Sequence, residues 1–195
     1  MSEPRRCWST ADPAYVEYHD REWGRPVTDE RGLYERLCLE GFQSGLTWLT
    51  ILRKRPAFRA AFAGFDPETV ARFGERDVKR LLEDAGIVRH RGKIEAAIAN
   101  ARATVALREA GTPLPQLVWS HRPANGDAPR TSADWQASTP ESAALSKALR
   151  AAGFRFVGPT TVYATMQACG VVNDHLADCI VRAEVEKEIA SSTIA

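Results

Sequence analysis

Apolar positions recur at helical spacing through most of the chain. Leu33, Leu37 and Cys38 fall on one face of a helix expected from Thr28 to Gly41. Leu46, Leu49, Ile51 and Leu52 open another after Gly45, which Pro56 is expected to stop. Val78, Leu81, Leu82 and Ala85 form a stripe at i, i+3, i+4, i+7, and Ile94, Ala97, Ile98, Ala101 and Val105 form a second. Between them lies Gly86-Ile87-Val88-Arg89-His90-Arg91-Gly92-Lys93, so the pair reads as a helical hairpin closed by a glycine-bounded basic turn. Gly111 stops the second helix.

Capping residues punctuate the rest. Asp12-Pro13 starts a short helix bearing Tyr15, Tyr18 and His19, ended by Trp23-Gly24. Asp66-Pro67-Glu68 and Thr139-Pro140-Glu141 are further helix starts, the second helix closing at Gly153. A helix from Thr160 to Cys169 follows Gly158-Pro159, and Asn173 or Asp174 caps a turn carrying His175 and Cys179. Phe58, Phe62 and Phe65 are expected in the core. Residues 120–138, rich in Pro, Asn, Asp, Gly and Ser, predict a long loop bordered by Trp119 and Trp135. Residues 1–10 read as a polar arm and 182–195 as a fraying tail. With no alternating run of strand length and no repeat of fixed period, the class is all-α.

Composition adds boundaries. A chain of 195 residues can build one large domain or two small lobes. The net charge of +1 means that a nucleic-acid partner would need a local basic patch. No apolar run approaches about eighteen residues, so no membrane partner is expected. No signal-peptide pattern opens the sequence, and a cytoplasmic place follows by default. The four cysteines do not read as a disulfide framework, and Cys38 and Cys169 read as core thiols.

Three constellations carry chemistry. In Leu39-Glu40-Gly41-Phe42-Gln43-Ser44-Gly45-Leu46-Thr47-Trp48 a carboxylate, two glycines and an indole could grip a flat, cationic ring. Equally, Glu40 could be solvated and Trp48 ordinary core. The basic turn could clasp a phosphodiester without reading sequence, or simply be solvated. His175 and Cys179, spaced i, i+4, could join Cys7 and His19 in a Cys₂His₂ tetrahedron stapling the two ends. They could also be surface histidines and small apolar thiols. The residues alone leave each pair of readings open.

Taken together, several segments resemble the bacterial 3-methyladenine DNA glycosylase I family. They are Tyr15-Val16-Glu17-Tyr18-His19-Asp20-Arg21-Glu22-Trp23-Gly24, the stretch from Leu39 to Trp48, the hairpin turn from Ala85 to Ile94, Gly153-Phe154-Arg155-Phe156-Val157-Gly158, and Met166 to His175. The match runs in order over nearly the whole chain. It implies a helix-hairpin-helix DNA glycosylase fold with a structural zinc site tying the terminal segments. One unit over 1–181 would comprise a hairpin lobe (about 46–118) and a terminal lobe (1–45 with 139–181). It further implies a monomer that excises 3-methyladenine from double-stranded alkylated DNA in base excision repair.

By position, Glu40 would be the catalytic candidate, bonding the polar edge of the flipped base. Tyr18 would assist and Trp48 would stack, with Tyr15, Trp8 and Trp23 completing the wall. Gly45 and Leu46 would lie at the lesion gap, and Gly86, Ile87, His90, Arg91, Gly92 and Lys93 would contact DNA. Cys7, His19, His175 and Cys179 would hold zinc. One spacing departs from the family: eleven residues separate Cys7 from His19, one fewer than expected, and Trp8 follows Cys7 directly. Relatives in the wider superfamily place an aspartate or a lysine beyond the hairpin, but Ala101 to Thr112 holds neither. A monofunctional hydrolase without strand cleavage is therefore expected. The competing expectations are a non-catalytic hairpin DNA-binding protein and a purely structural zinc domain.

Overall fold

Side-chain caps set most helix starts. The computed structural model describes residues 5–124 and 127–193. Residues 1–4 of the expected arm, 125–126 of the expected loop and 194–195 of the expected tail lie outside the described residues. Ten α-helices are present among those described: α1 Pro13–Arg21, α2 Glu30–Gln43, α3 Trp48–Ala61, α4 Pro67–Ala71, α5 Glu75–Glu83, α6 Arg91–Glu109, α7 Leu114–Trp119, α8 Pro140–Ala151, α9 Pro159–Ala168 and α10 Arg182–Ser191. Asp12 accepts from the N–H groups of Ala14 and Tyr15 at 3.0 and 3.2 Å, Asp66 from Thr69 at 3.0 Å, and Thr139 from Ser142 at 3.2 Å. Each satisfies donors that a helix leaves orphaned.

The molecule is organised around α2. Its buried residues run without a break from Leu33 to Phe42, and it packs against α3, α6, α7 and α9. Leu33, Leu37, Leu39 and Phe42 reach the core on different sides, as a central helix requires. Phe58, Phe62 and Phe65 stack beneath Phe42, and Cys38 and Cys169 are core thiols as expected. The hairpin is α5 and α6, with Val78, Leu81, Ile94, Ala97, Ile98 and Ala101 buried.

Several expectations are corrected. Helix α2 does not end at Gly41; it runs on to Gln43, and the break falls at Ser44-Gly45. A Cβ at Gly41 would lie in ordinary contact with Phe156, 3.4 Å from its Cβ and 3.5 Å from its carbonyl oxygen. Helix α3 does not stop at Pro56; it continues to Ala61. The proline removes one backbone bond, but burial of Ile51, Leu52 and Phe58 carries the helix through. The segment expected to fray after Val181 instead folds as α10, which buries Val185 and Ile189. A short helix, α7, forms where none was expected. The arm at residues 5–7 is pinned to the far end of the chain: Arg5 N–H donates to Asp178 O at 3.1 Å, and Ile180 N–H to Arg5 O at 3.0 Å.

Candidate active site

Three neighbouring helices each deliver one part of a single buried cluster. Helix α1 brings Tyr15 and Tyr18, α2 brings Glu40, and α3 opens on Trp48. Glu40, Tyr18 and Trp48 are 6, 3 and 8% exposed. The Tyr18 and Trp48 rings lie 5.3 Å apart, Tyr15 and Tyr18 6.3 Å, and Trp8 closes on Tyr15 at 5.2 Å. Glu40 has no hydrogen-bond or ion-pair partner among the described residues. Burial pushes its pKa up to about 8, against the pull of Arg36 one helical turn earlier. Desolvation first, and then the Glu40 charge, raise the phenols of Tyr15 and Tyr18, which places all three groups within one electrostatic environment.

The walls also hold unpaired donors. Trp48 Nε1, Trp8 Nε1 and Arg36 Nη1 are buried without a hydrogen-bond partner. Buried polar groups are normally satisfied, and each exception asks for a reason. An unpaired carboxylate beside unpaired donors and electron-rich rings is what a flat, polar, cationic ligand would complete.

One carboxylate sets the spacing of the three helices. Glu22, at the end of α1, accepts from Arg36 Nη2 at 2.9 Å and from both terminal nitrogens of Arg55 at 2.5 and 2.7 Å. Arg36 belongs to α2 and Arg55 to α3, so α1, α2 and α3 meet at Glu22. The Arg36 guanidinium carbon also lies 5.9 Å from the Tyr18 ring centre.

The hairpin turn presents its expected residues unequally. Gly86 N–H donates to Asp84 Oδ1 at 2.8 Å, and Lys54 Nζ donates to Ala85 O and Gly86 O at 2.9 and 3.2 Å. Ile87 is buried, leaving only its backbone for a partner. His90 is exposed and caps α6, its Nδ1 accepting from Lys93 N–H at 3.2 Å. Arg91 is exposed and pairs with Glu75 and Glu95 at 3.0 and 3.3 Å. Gly92 packs beside the His90 ring. Lys93 departs from its expected place at a phosphate. Its ammonium turns inward and donates to Phe42 O at 2.9 Å and Ser44 O at 2.6 Å, the orphan carbonyls at the end of α2. Just beyond, Gly45 takes φ +82° and Leu46 is 42% exposed.

Cys7, His19, His175 and Cys179 converge. Their ligand atoms all lie within 4.8 Å of one another, and all four residues are buried. The shorter Cys7 spacing is absorbed by the arm. Cys7 Sγ lies 3.3 Å from His175 Nδ1, and Cys179 Sγ lies 3.5 Å from His19 Nε2 and 3.4 Å from His175 Nδ1. Tetrahedral metal–sulfur and metal–nitrogen bonds would separate such atoms by about 3.6 Å. The other ring nitrogens fix the tautomers. His19 Nδ1 faces Asp20 Oδ1 at 2.7 Å and His175 Nε2 faces Trp23 O at 2.9 Å; both oxygens only accept, so both nitrogens carry protons. The bare nitrogens are then the two that face the thiols. Leu176 N–H donates to Cys7 Sγ at 3.3 Å, and a hydrogen bond from the Cys7 thiol pulls the Cys179 thiol down. Arg6 holds Asp20 ionised, at about 2. Gly24, at φ +80°, clears the way: a Cβ there would lie 2.8 Å from His175 Nε2.

Sequence reasoning missed Asp20, Arg36, Glu22 and Trp135. Trp135 packs on Trp8 and Trp23 at 6.5 and 6.0 Å and donates to Asp174 O at 2.9 Å, so the 120–138 loop doubles back onto the aromatics beside the Cys/His cluster. Its indole at the border of a polar stretch was the available signal.

A helical hairpin beside a buried carboxylate and an aromatic wall defines an all-helical protein of the hairpin class. Comparison with known proteins narrows this. The sequence profile of the methyladenine glycosylase family matches residues 8–183. The chain is 52% identical over 178 residues to DNA-3-methyladenine glycosylase 1 of Escherichia coli (strain K12), covering 89% of this chain and 95% of that protein. A crystal structure of 3-methyladenine DNA glycosylase I superposes with a TM-score of 0.87 at 49% identity, covering 90% of this chain and 98% of that one. A Staphylococcus aureus 3-methyladenine DNA glycosylase I structure, described for 3-methyladenine recognition, gives 0.86 at 35% identity, covering 90 and 95%. The chain belongs to the methyladenine glycosylase family.

Proposed function

We propose that the protein swings 3-methyladenine out of alkylated duplex DNA and releases it by hydrolysis, as a monofunctional glycosylase of base excision repair. The observation that carries this reading is the buried, unpaired Glu40 set against Tyr18 and Trp48. An N3-alkylated adenine in DNA is cationic, and its glycosidic bond is already weakened. Cleavage leaves a neutral base, and water adds its oxygen to the sugar carbon and gives up a proton. The protein therefore needs little acid catalysis; it needs to extrude the nucleotide and hold the ring. The cationic ring favours the ionised form of Glu40, which gives up its proton as the base enters, accepts from the exocyclic amine and matches the positive charge. Trp48, Tyr18 and Tyr15 offer π faces worth roughly 0.5–2 kcal/mol to a cation. Unmodified adenine, being neutral, gains less from both.

In this reading the Cys7, His19, His175 and Cys179 set holds zinc, which when bound staples the terminal segments and takes no part in bond cleavage. Thiolate and imidazole donors with no open fourth position suit a structural ion. Gly45, Leu46 and the turn at Gly86, Ile87, His90, Arg91 and Gly92 face the DNA backbone and the lesion gap, while Lys93 holds the end of α2 that presents them. A hairpin lobe over 46–118, a terminal lobe from 1–45 with 139–181, a monomeric state and a cytoplasmic place complete it. Among the described residues no helix is long and apolar enough to cross a membrane.

The test is chromatography of bases released from alkylated DNA. Wild type should release 3-methyladenine, and Glu40→Gln should lose about 100-fold or more, since a buried charge-assisted contact and its cationic match both go. Equal release by the two proteins would overturn the role of Glu40.

A further inference from the structure

Two of the large apolar side chains that the fold leaves exposed are Leu46 and Phe156, at 42 and 41%. Phe156 lies between α8 and α9, in a motif to which no role has so far attached. Its backbone takes φ +55°, a region that a phenylalanine occupies only when the surroundings impose it.

The surroundings do impose it, from both sides. Asn100 of α6, 2% exposed, accepts from Arg155 N–H at 2.7 Å and donates to Arg155 O at 3.2 Å. Ser146 of α8, also 2% exposed, donates to Val157 O at 2.6 Å. The Phe156 backbone lies against Gly41 of α2. Two buried polar side chains thus hold a strained residue whose ring is exposed. A ring held for packing would point inward, as Phe154 does at 3% exposure.

The place of the ring is informative. It sits 6.4 Å from the exposed His90 ring at the start of α6. Arg155 and Arg89 are exposed in the same two connections, and the α6 N-terminus adds partial positive charge. Leu46 follows the end of α2, its N–H donating to Gln43 O at 2.6 Å. An apolar ring beside cations and a hairpin turn suits a stacked polyanion, in which an inserted side chain fills a step that bending opens.

We propose that Phe156 is a second inserting residue, stacking on a base next to the extruded nucleotide while Leu46 enters from the opposite flank. This rests on the glycosylase reading. The experiment uses duplexes carrying a tetrahydrofuran abasic analogue with 2-aminopurine in the neighbouring and opposite positions. Phe156→Ala should bind such a duplex about tenfold more weakly. It should lose the wild-type change in 2-aminopurine fluorescence and should still bind free 3-methyladenine normally. Phe156→Gly, which accepts the left-handed backbone, should fold as stably as wild type and show the same DNA defect. Phe156→Trp should retain stacking. Wild-type affinity and an unchanged 2-aminopurine signal in both the alanine and glycine variants would overturn the proposal. If wild type released no base yet bound the abasic duplex through Phe156, the glycosylase reading would fail and the insertion would stand.

Discussion

Glu40 is destabilising where it stands. An unfolded glutamate releases its proton near 4.5, whereas folded Glu40 keeps it until about 8, because burial removes the water that would solvate the charge. Between those values the native state binds more protons than the unfolded one, so this group's contribution to stability falls as pH rises. Glu40→Gln should therefore be more stable than wild type by urea unfolding. The gap should be absent near pH 4 and widen toward pH 8, at up to about 1.4 kcal/mol per pH unit crossed. Equal stability at pH 8 would mean that Glu40 is charged and solvated. Glu40 and Trp48 stood out in the sequence as a carboxylate and an indole beside glycines, with a solvated and a core reading left open, while Tyr18 entered only through the family resemblance; the structure brings the three together. Lys93 was misread because its type suggests a phosphate, while its direction depends on where α2 ends. Asp20, Arg36 and Glu22 were invisible as site residues for the same reason: their partners lie on other helices or ends of the chain.

At the scale of elements, caps were the most legible feature. Asp12, Asp66 and Thr139 each announced a helix and each caps one. Ends were less so. Pro56 and Gly41 looked like stops, yet buried contacts outweigh local preference at both. Helix α10 shows only two apolar positions spaced i, i+4 among charges, too short a pattern to separate from a tail. Its value is tertiary: Val185 and Ile189 are 0 and 3% exposed, and Arg25 reaches Glu184 and Glu188 from across the fold. Burying two such side chains contributes about 1.5–3 kcal/mol each. Truncation after Val181 should accordingly lower stability by about 3–6 kcal/mol in chemical denaturation. A truncated chain as stable as the full one would return the segment to the status of a tail.

The whole molecule is held at its two ends by one cluster. Its chemistry was readable only in part, since Cys7 and His175 stand 168 residues apart and no compact knuckle marks them. The structure supplies what spacing lacked, namely four ligand atoms within 4.8 Å and ring tautomers set by Asp20 and Trp23. On the zinc reading, a strong chelator should release one equivalent of zinc by colorimetry and lower Tm by about 10 °C, or about 3–5 kcal/mol at this chain length. Cys179→Ser should do the same without chelator. Unchanged melting after full metal removal would leave the four residues as ordinary packing.

That long separation also dictates an order of events during synthesis. Cys7, Trp8, Tyr15, Tyr18, His19 and Trp23 leave the ribosome well before the partners that fasten them, His175 and Cys179. Until His175 and Cys179 have emerged, the nascent chain carries this run of indoles and phenols unfastened. A pause before that point exposes these aromatics to chaperones or to aggregation.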